Sequence, residues 1–131
     1  MSLGQHDVPI LPALLHRTSV ALSQVSIGDQ VVIDAGVYVL HGQIVIDGFV
    51  RIGRGVALSP WVTIGPDGGS TPGPTLGDGV FVGTGARILG PVHVGANAKI
   101  AANSVVVDDV PPDTTVAGSP ARVVADRRPQ L

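Results

Sequence analysis

The chain has no cysteine, no glutamate and a single lysine, and aromatic residues make up only 3% of its 131 positions. The lack of cysteine excludes disulfides and thiolate metal sites and leaves the redox compartment open. With no Glu and one Lys, the chain is short of the residues that favour helices. Its eight Lys and Arg residues are scattered and the formal net charge is −2, which argues against a nucleic-acid surface, since that requires a basic stripe. Long apolar runs are missing too. The stretch "VPILPALL" is too short and too interrupted by proline to span a membrane, and no basic segment precedes it. A cytoplasmic location is the expectation. What is abundant is Gly (18) and Pro (11), set among Val and Ile. These β-branched residues and turn-makers predict a mostly β chain, and the length fits one domain.

The apolar residues repeat. An aliphatic anchor stands at Ile27, Ile33 and Val39, at Ile46, Ile52, Leu58 and Ile64, and again at Leu76, Val82, Ile88, Val94, Ile100 and Val106. Every step is six residues except 39 to 46, which is seven, and 64 to 76, which is twelve. A second small apolar residue lies two positions before most anchors, as at Val25, Ile44, Val62, Ala86 and Ala98. Such a unit is a strand too short to stand alone: alternation over three residues points two side chains inward, and Gly or Asn permits a tight corner. A period of six keeps no stripe on a 3.6-residue helical turn. Stacked coils would align the anchors in columns, each contributing about 1.5–3 kcal/mol on burial, with no coil stable alone. The pattern predicts a parallel β-solenoid over residues 25–108.

Two segments fall outside the repeat. Residues 1–24 carry no hexad, and "PALLHRTSVALSQ" is expected to form a short helix; His16, within it, has no readable role. The segment 109–131 replaces the hexad with prolines and small residues and is read as a closing loop and tail. Inside the solenoid, "PDGGSTPGPT" (residues 66–75) fills the twelve-residue step and predicts an extruded loop, the kind of segment that often borders a site.

The stretch "LGDGVFVGTGARILGPVHVGANAKIAANSVVVDDVPPDTTVAGSPARVV" (residues 76–124) resembles the C-terminal part of hexapeptide-repeat acyltransferases, most closely the serine acetyltransferases and their shorter relatives. The resemblance extends over about residues 25–124. It implies an all-β, single-domain left-handed parallel β-helix, although the general rule for parallel crossovers favours right-handed ones. It also implies a homotrimer with acetyl-CoA lying in the groove between subunits. The family's catalytic histidine matches His41 in "VLHGQIVID", at the only seven-residue step. As general base, an imidazole would take the proton of a hydroxyl acceptor attacking the thioester. Thr84, Gly85, Ala101 and Ala102 match the small residues set against pantetheine. Lys99 falls where a basic residue meets a CoA phosphate, and Pro120 lies in the closing loop beside the cofactor.

Departures from the family bear on the acceptor. Leu40 stands where serine acetyltransferases carry an Asp before the histidine. Ser26 replaces its partner Asp, and Pro72 and Gly73 replace an Arg-His pair. With these groups lost, a sugar or surface polymer is expected as the acceptor ahead of free serine. Serine O-acetyltransferase and a non-catalytic scaffold or ligand-binding relative are the alternatives. A carbonic anhydrase of this fold would need a His-x-x-x-x-His pair, which the sequence lacks, so no metal is expected. His93 alternates with the inward Val92 and Val94 and is read as a surface residue. Trp61, the only Trp, is read either as lining the acceptor or subunit groove or as capping an exposed edge.

Overall fold

The computed structural model describes residues 11–12, 14–15, 18, 24–68 and 72–129. Leu11, Pro12, Leu14, Leu15 and Thr18 are helical, and Thr18 Oγ1 donates to the Leu14 carbonyl at 2.8 Å. His16 lies outside the described residues.

From Val25 onward the chain winds through short strands that stack into three sheets. Sheet A holds β1 (Val25–Ile27), β4 (Ile44–Ile46), β7 (Thr63–Gly65), β10 (Arg87–Leu89) and β13 (Val105–Val106). Sheet B holds β2 (Val32–Ile33), β5 (Arg51–Ile52), β8 (Thr75–Leu76) and β11 (His93–Val94). Sheet C holds β3 (Tyr38–Val39), β6 (Ala57–Leu58), β9 (Phe81–Val82), β12 (Lys99–Ile100), β14 (Thr114–Gly118) and β15 (Ala121–Asp126). Every pairing is parallel except β14 with β15. Three consecutive strands thus make one coil of a β-solenoid, and each sheet is one face of the prism.

The register shows how hexads become coils. Ile46 pairs with Ile64, and Ile88 with Val106, eighteen residues further on. Ile27 pairs with Ile46 after nineteen, and Ile64 with Ile88 after twenty-four. The odd seven-residue step therefore adds one residue to the first coil. The twelve-residue step adds six to the third and leaves the stack in register. The chain leaves the solenoid after Gly65 and is back by Gly73, whose N–H donates to the Phe49 carbonyl at 2.9 Å. Residues 69–71 of this loop lie outside the described residues.

Anchors and their companions fill the prism. From Ile44 to Ile100 both columns are buried at 4% exposure or less, so the alternation read along the sequence is the in-and-out alternation of each strand. The Gly after an anchor has a distinct cause. A Cβ on Gly83 would stand 2.7 Å from the Ala102 nitrogen and 2.8 Å from the Ile100 carbonyl oxygen of the next coil, so only glycine fits between the two backbones.

The hexad pattern stops at Val106, but the stack continues. Val110 bridges Val94 in parallel, β14 lies parallel on β12, and Val110 and Val116 extend the core. Antiparallel β15 then covers β14. At the other end Ile33 and Val39 remain 36% and 43% exposed, because β1, β2 and β3 are edge strands. Among the described residues, no helix is long and apolar enough to cross a membrane.

Candidate functional site

The edge of the prism between sheets C and A gathers most of the residues singled out from the sequence. Here each coil turns through residues 40–43, 59–61, 83–85 and 101–103. Backbone bonds stack these corners: Leu40 N–H donates to the Leu58 carbonyl at 3.0 Å, Gly85 N–H to Pro60 at 3.0 Å and Asn103 N–H to Thr84 at 2.8 Å. The last residue of each corner has a left-handed backbone: Gln43 (φ 63°), Trp61 (67°), Gly85 (75°) and Asn103 (59°), with Gln24 (57°) at the start of the column. Stacking thus brings His41, Thr84, Gly85, Ala101 and Ala102 onto one edge, although they come from three different coils of the sequence.

His41 owes its place to the extra residue. Tyr38 and Val39 pair with Ala57 and Leu58 before the corner, and Val45 and Ile46 pair with Thr63 and Ile64 after it. With register kept on both sides, the surplus must bulge between them, and His41 and Gly42 form that bend. The imidazole is exposed and has no hydrogen-bond partner among the described residues. Ser26 and Leu40, which the sequence resemblance sets against the family's carboxylates, are an outward residue of β1 and a half-exposed corner residue. Gly73, which the resemblance sets against the histidine of the family's Arg-His pair, packs against the Phe49 carbonyl. A Cβ there would stand 2.9 Å from Val50 Cγ2, so the backbone has no room for a side chain.

Beside this edge runs a groove of about 530 Å³ on the outer face of sheet A. Its walls carry the carboxamides of Gln24, Gln43 and Asn103, the hydroxyls of Ser26 and Thr63, the Trp61 indole and the Arg87 guanidinium. Among the described residues, no carboxylate lines it. Gln43 donates through its amide to Gln24 across the first two coils. Arg87 Nη1 donates to the Gly85 carbonyl at 3.3 Å. Of the expected donor-binding residues, Gly85 lines the groove itself. Lys99 lies elsewhere, on the outer face of sheet C between Phe81 and Thr115. Pro120 sits in the turn joining β14 and β15. His93 is exposed on sheet B, where its N–H donates to Asp109 Oδ1 at 2.9 Å.

Sequence reasoning passed over Gln24, Gln43, Thr63, Arg87 and Asn103. The signal was available for two of them: Thr63 and Arg87 are the middle residues between inward pairs, so they point outward on one face. The groove appears only once coils of unequal length have been stacked.

Two family models match the chain: a bacterial transferase hexapeptide (six repeats) over residues 73–108 and a hexapeptide repeat of succinyl-transferase over residues 24–41. The chain is 38% identical to the serine acetyltransferase of Synechococcus elongatus, across 93% of this chain and 51% of that protein. It is 39% identical to the serine acetyltransferase of Mycobacterium tuberculosis, across 97% of this chain and 57% of that protein. The chain thus spans little more than half the length of these curated relatives. Among solved structures, serine acetyltransferase from Brucella abortus superposes with a TM-score of 0.82 at 32% identity, over 90% of this chain and 49% of that one. Its complex with coenzyme A superposes at 0.72 and 31% identity, over 90% and 48%. Neisseria gonorrhoeae serine acetyltransferase in complex with serine superposes at 0.60 and 38% identity, over 77% and 40%. The repeat, the register and these likenesses agree: the chain belongs to the hexapeptide-repeat acyltransferase superfamily, as a left-handed parallel β-helix of the serine acetyltransferase-like kind.

Proposed function

We propose that the protein transfers an acetyl group from acetyl-CoA to a hydroxyl of a small molecule, with His41 as general base. The observation that carries this reading is the looped-out His41 at the head of an edge whose later coils present Thr84, Gly85, Ala101 and Ala102. The imidazole takes the hydroxyl proton as the oxygen attacks the thioester carbonyl. The new C–O bond forms, the C–S bond breaks, and the departing thiolate recovers a proton as CoA. No covalent intermediate on the protein is needed. The coenzyme A complex of the Brucella relative supports acetyl-CoA as donor. In this reading the donor's arm runs along the small corner residues, Lys99 meets a CoA phosphate, and Pro120 borders the cofactor. A homotrimer supplies the second wall of the groove.

For the acceptor, the comparisons favour L-serine over the sugar or surface polymer expected from the sequence. The relatives are named for serine, and one structural neighbour holds it. A sugar acceptor is a second reading, favoured by a groove whose described lining offers carboxamides and hydroxyls and, among those residues, no carboxylate for an ammonium. Steady-state release of CoA, measured for wild type and His41→Ala with L-serine and sugar acceptors, tests the proposal. Loss of the base should lower turnover by roughly 10²–10⁴, with little change in acetyl-CoA affinity. Unimpaired transfer by the variant would remove His41 from the role. Absence of release with every acceptor would leave the non-catalytic scaffold as the reading.

A further inference from the structure

We propose that Trp61 of one copy anchors a three-fold ring by seating against Phe49 of the next copy, so that the second copy's edge between sheets A and B completes the site at His41. The proposal rests on the homotrimer of the reading above and uses none of its acyl-transfer chemistry.

The first observation is where the aromatic residues stand. The chain has four, Tyr38, Phe49, Trp61 and Phe81, and all are exposed while the core is aliphatic throughout. Aromatic residues are enriched where proteins meet, and Trp above all supplies the anchors. Trp61 is the extreme case. It is 62% exposed on a left-handed backbone with φ 67°, which strains a bulky residue. Gly or Asn, which hold the equivalent corners at Gly85 and Asn103, would suit the backbone better. Trp61 lies outside the core of its own copy, so packing within the chain does not offset the strain.

The second observation is geometric. A closed three-fold ring of identical copies is heterologous, joining two different surfaces of the chain at every contact. With the axis along the solenoid, the sheet that faces the axis sets its two bordering edges against each other at one axial level. Sheet B or sheet C facing inward would use the edge between them. That edge carries Asp34, Arg54, Asp78 and Asp113 and, among the described residues, no exposed large hydrophobic side chain. Sheet A facing inward instead joins the Trp61 edge to the edge between sheets A and B, where Phe49 is 59% exposed. The outward column of sheet A suits an inner face, since Ser26, Val45, Thr63, Arg87 and Val105 include one charge. Phe49 and Trp61 also belong to the same coil, the one built from β4, β5 and β6. They therefore stand within about one strand spacing, roughly 4.8 Å, along the axis.

This contact brings more than a ring. The Phe49 carbonyl accepts the Gly73 N–H at 2.9 Å, so the edge supplied by the second copy carries the chain returning from the extruded loop. Val45 pairs with Thr63, which sets Gln43 over Trp61 and keeps the His41 bend at the corner where that edge arrives.

Because Trp61 is the only tryptophan, intrinsic fluorescence reports this contact alone. Phe49 lies on the opposite border of sheet A, so its replacement reaches the indole only through another copy. The full chain is measured by sedimentation equilibrium and by acrylamide quenching as wild type, Trp61→Gly, Phe49→Ser and the double variant, with Arg54→Ser as a control on the third edge. The wild type should be a trimer with a shielded indole, and quenching should rise when dilution dissociates it. Phe49→Ser should expose the indole at concentrations where the wild type shields it. Either single substitution should raise the concentration of half-assembly on the order of a hundredfold, and the double variant should add little to that. Arg54→Ser should match the wild type. The inference is overturned by a wild-type trimer whose indole is freely quenched, by a Phe49→Ser trimer that still shields Trp61, or by additive effects of the two substitutions. A trimer indifferent to both substitutions overturns this contact and leaves the homotrimer standing, whereas a wild-type monomer at micromolar concentration overturns both.

Discussion

Ser104 occupies an inward position two residues before Val106, and its hydroxyl is fully buried with no hydrogen-bond partner among the described residues. Its backbone is well used, since Arg87 N–H donates to the Ser104 carbonyl at 2.8 Å. The hydroxyl alone carries a desolvation penalty of about 1–3 kcal/mol. Ala86 and Ala98 show that a methyl fits the equivalent position on other coils at 0% exposure. Ser104→Ala should therefore raise unfolding stability by about 1 kcal/mol, read from chemical denaturation midpoints at constant slope. A fall in stability would mean that the hydroxyl has a partner in solution.

The closing hairpin of β14 and β15 is held at its end by charge. Arg128 Nε donates to Asp126 Oδ1 at 2.9 Å and to Oδ2 at 3.0 Å, and the Arg128 backbone N–H donates to Oδ1 at 3.0 Å. The Arg128 side chain, and then its backbone N–H, hold the Asp126 carboxyl well below the usual carboxylate range, at about 2. A lowered folded-state value means that the carboxylate's contribution is fully present above pH 3.8 and is lost as pH falls through about 2. Both groups are exposed, so screening keeps the effect on stability small. An NMR titration of the Asp126 carboxyl should give a midpoint near 2, and Arg128→Ala should raise it only part of the way toward the ordinary range, because the backbone N–H at 128 remains. An ordinary midpoint in the wild type would mean that the pair does not persist in solution.

For the whole molecule, the stack is closed at one end by β15, and at the other its first coil keeps its anchors partly exposed. Coils contact only their neighbours, so stability is distributed along the axis and not shared evenly. Ile52 and Leu58 are 1% and 0% exposed, whereas Ile33 and Val39, one coil earlier on the same faces, are 36% and 43% exposed. Native-state hydrogen exchange should show the amides of β2 and β3 opening at lower free energy than those of β9 and β12. Equal protection along the axis would mean that the first coil is covered in solution. Assembly belongs to this scale as well. Tyr38 and Phe81 are 63% and 41% exposed on sheet C, and Trp61 stands out at the neighbouring edge. The proposed homotrimer would cover such surface and close the groove in one step. Light scattering should give three times the chain's 13.3 kDa mass, and a monomer at micromolar concentration would contradict both the trimer and a groove shared between subunits.

Much of this protein was legible from hexad spacing alone. An aliphatic residue every sixth position, with a small partner two before it, leaves no element but a short strand and no way to bury it except by stacking. The columns from Ile44 to Ile100, the close approach at Gly83 and the return to register after the inserted loop all follow from that pattern. The slip at His41 was legible too, since one surplus residue between two anchors must bulge somewhere. The position of the bulge relative to other groups was not. Whether Gln24, Trp61, Arg87 and Asn103 share a groove depends on coils of eighteen, nineteen and twenty-four residues coming into parallel register, so that the surplus residues bulge out and leave the corners aligned. Nor does hexad periodicity show that Val110 and Val116 prolong the core after the repeat has lapsed, because backbone pairing to β11 and β12 puts them there. Local spacing determined the coil; the alignment of one coil on the next, set by long-range hydrogen bonds, decided the site.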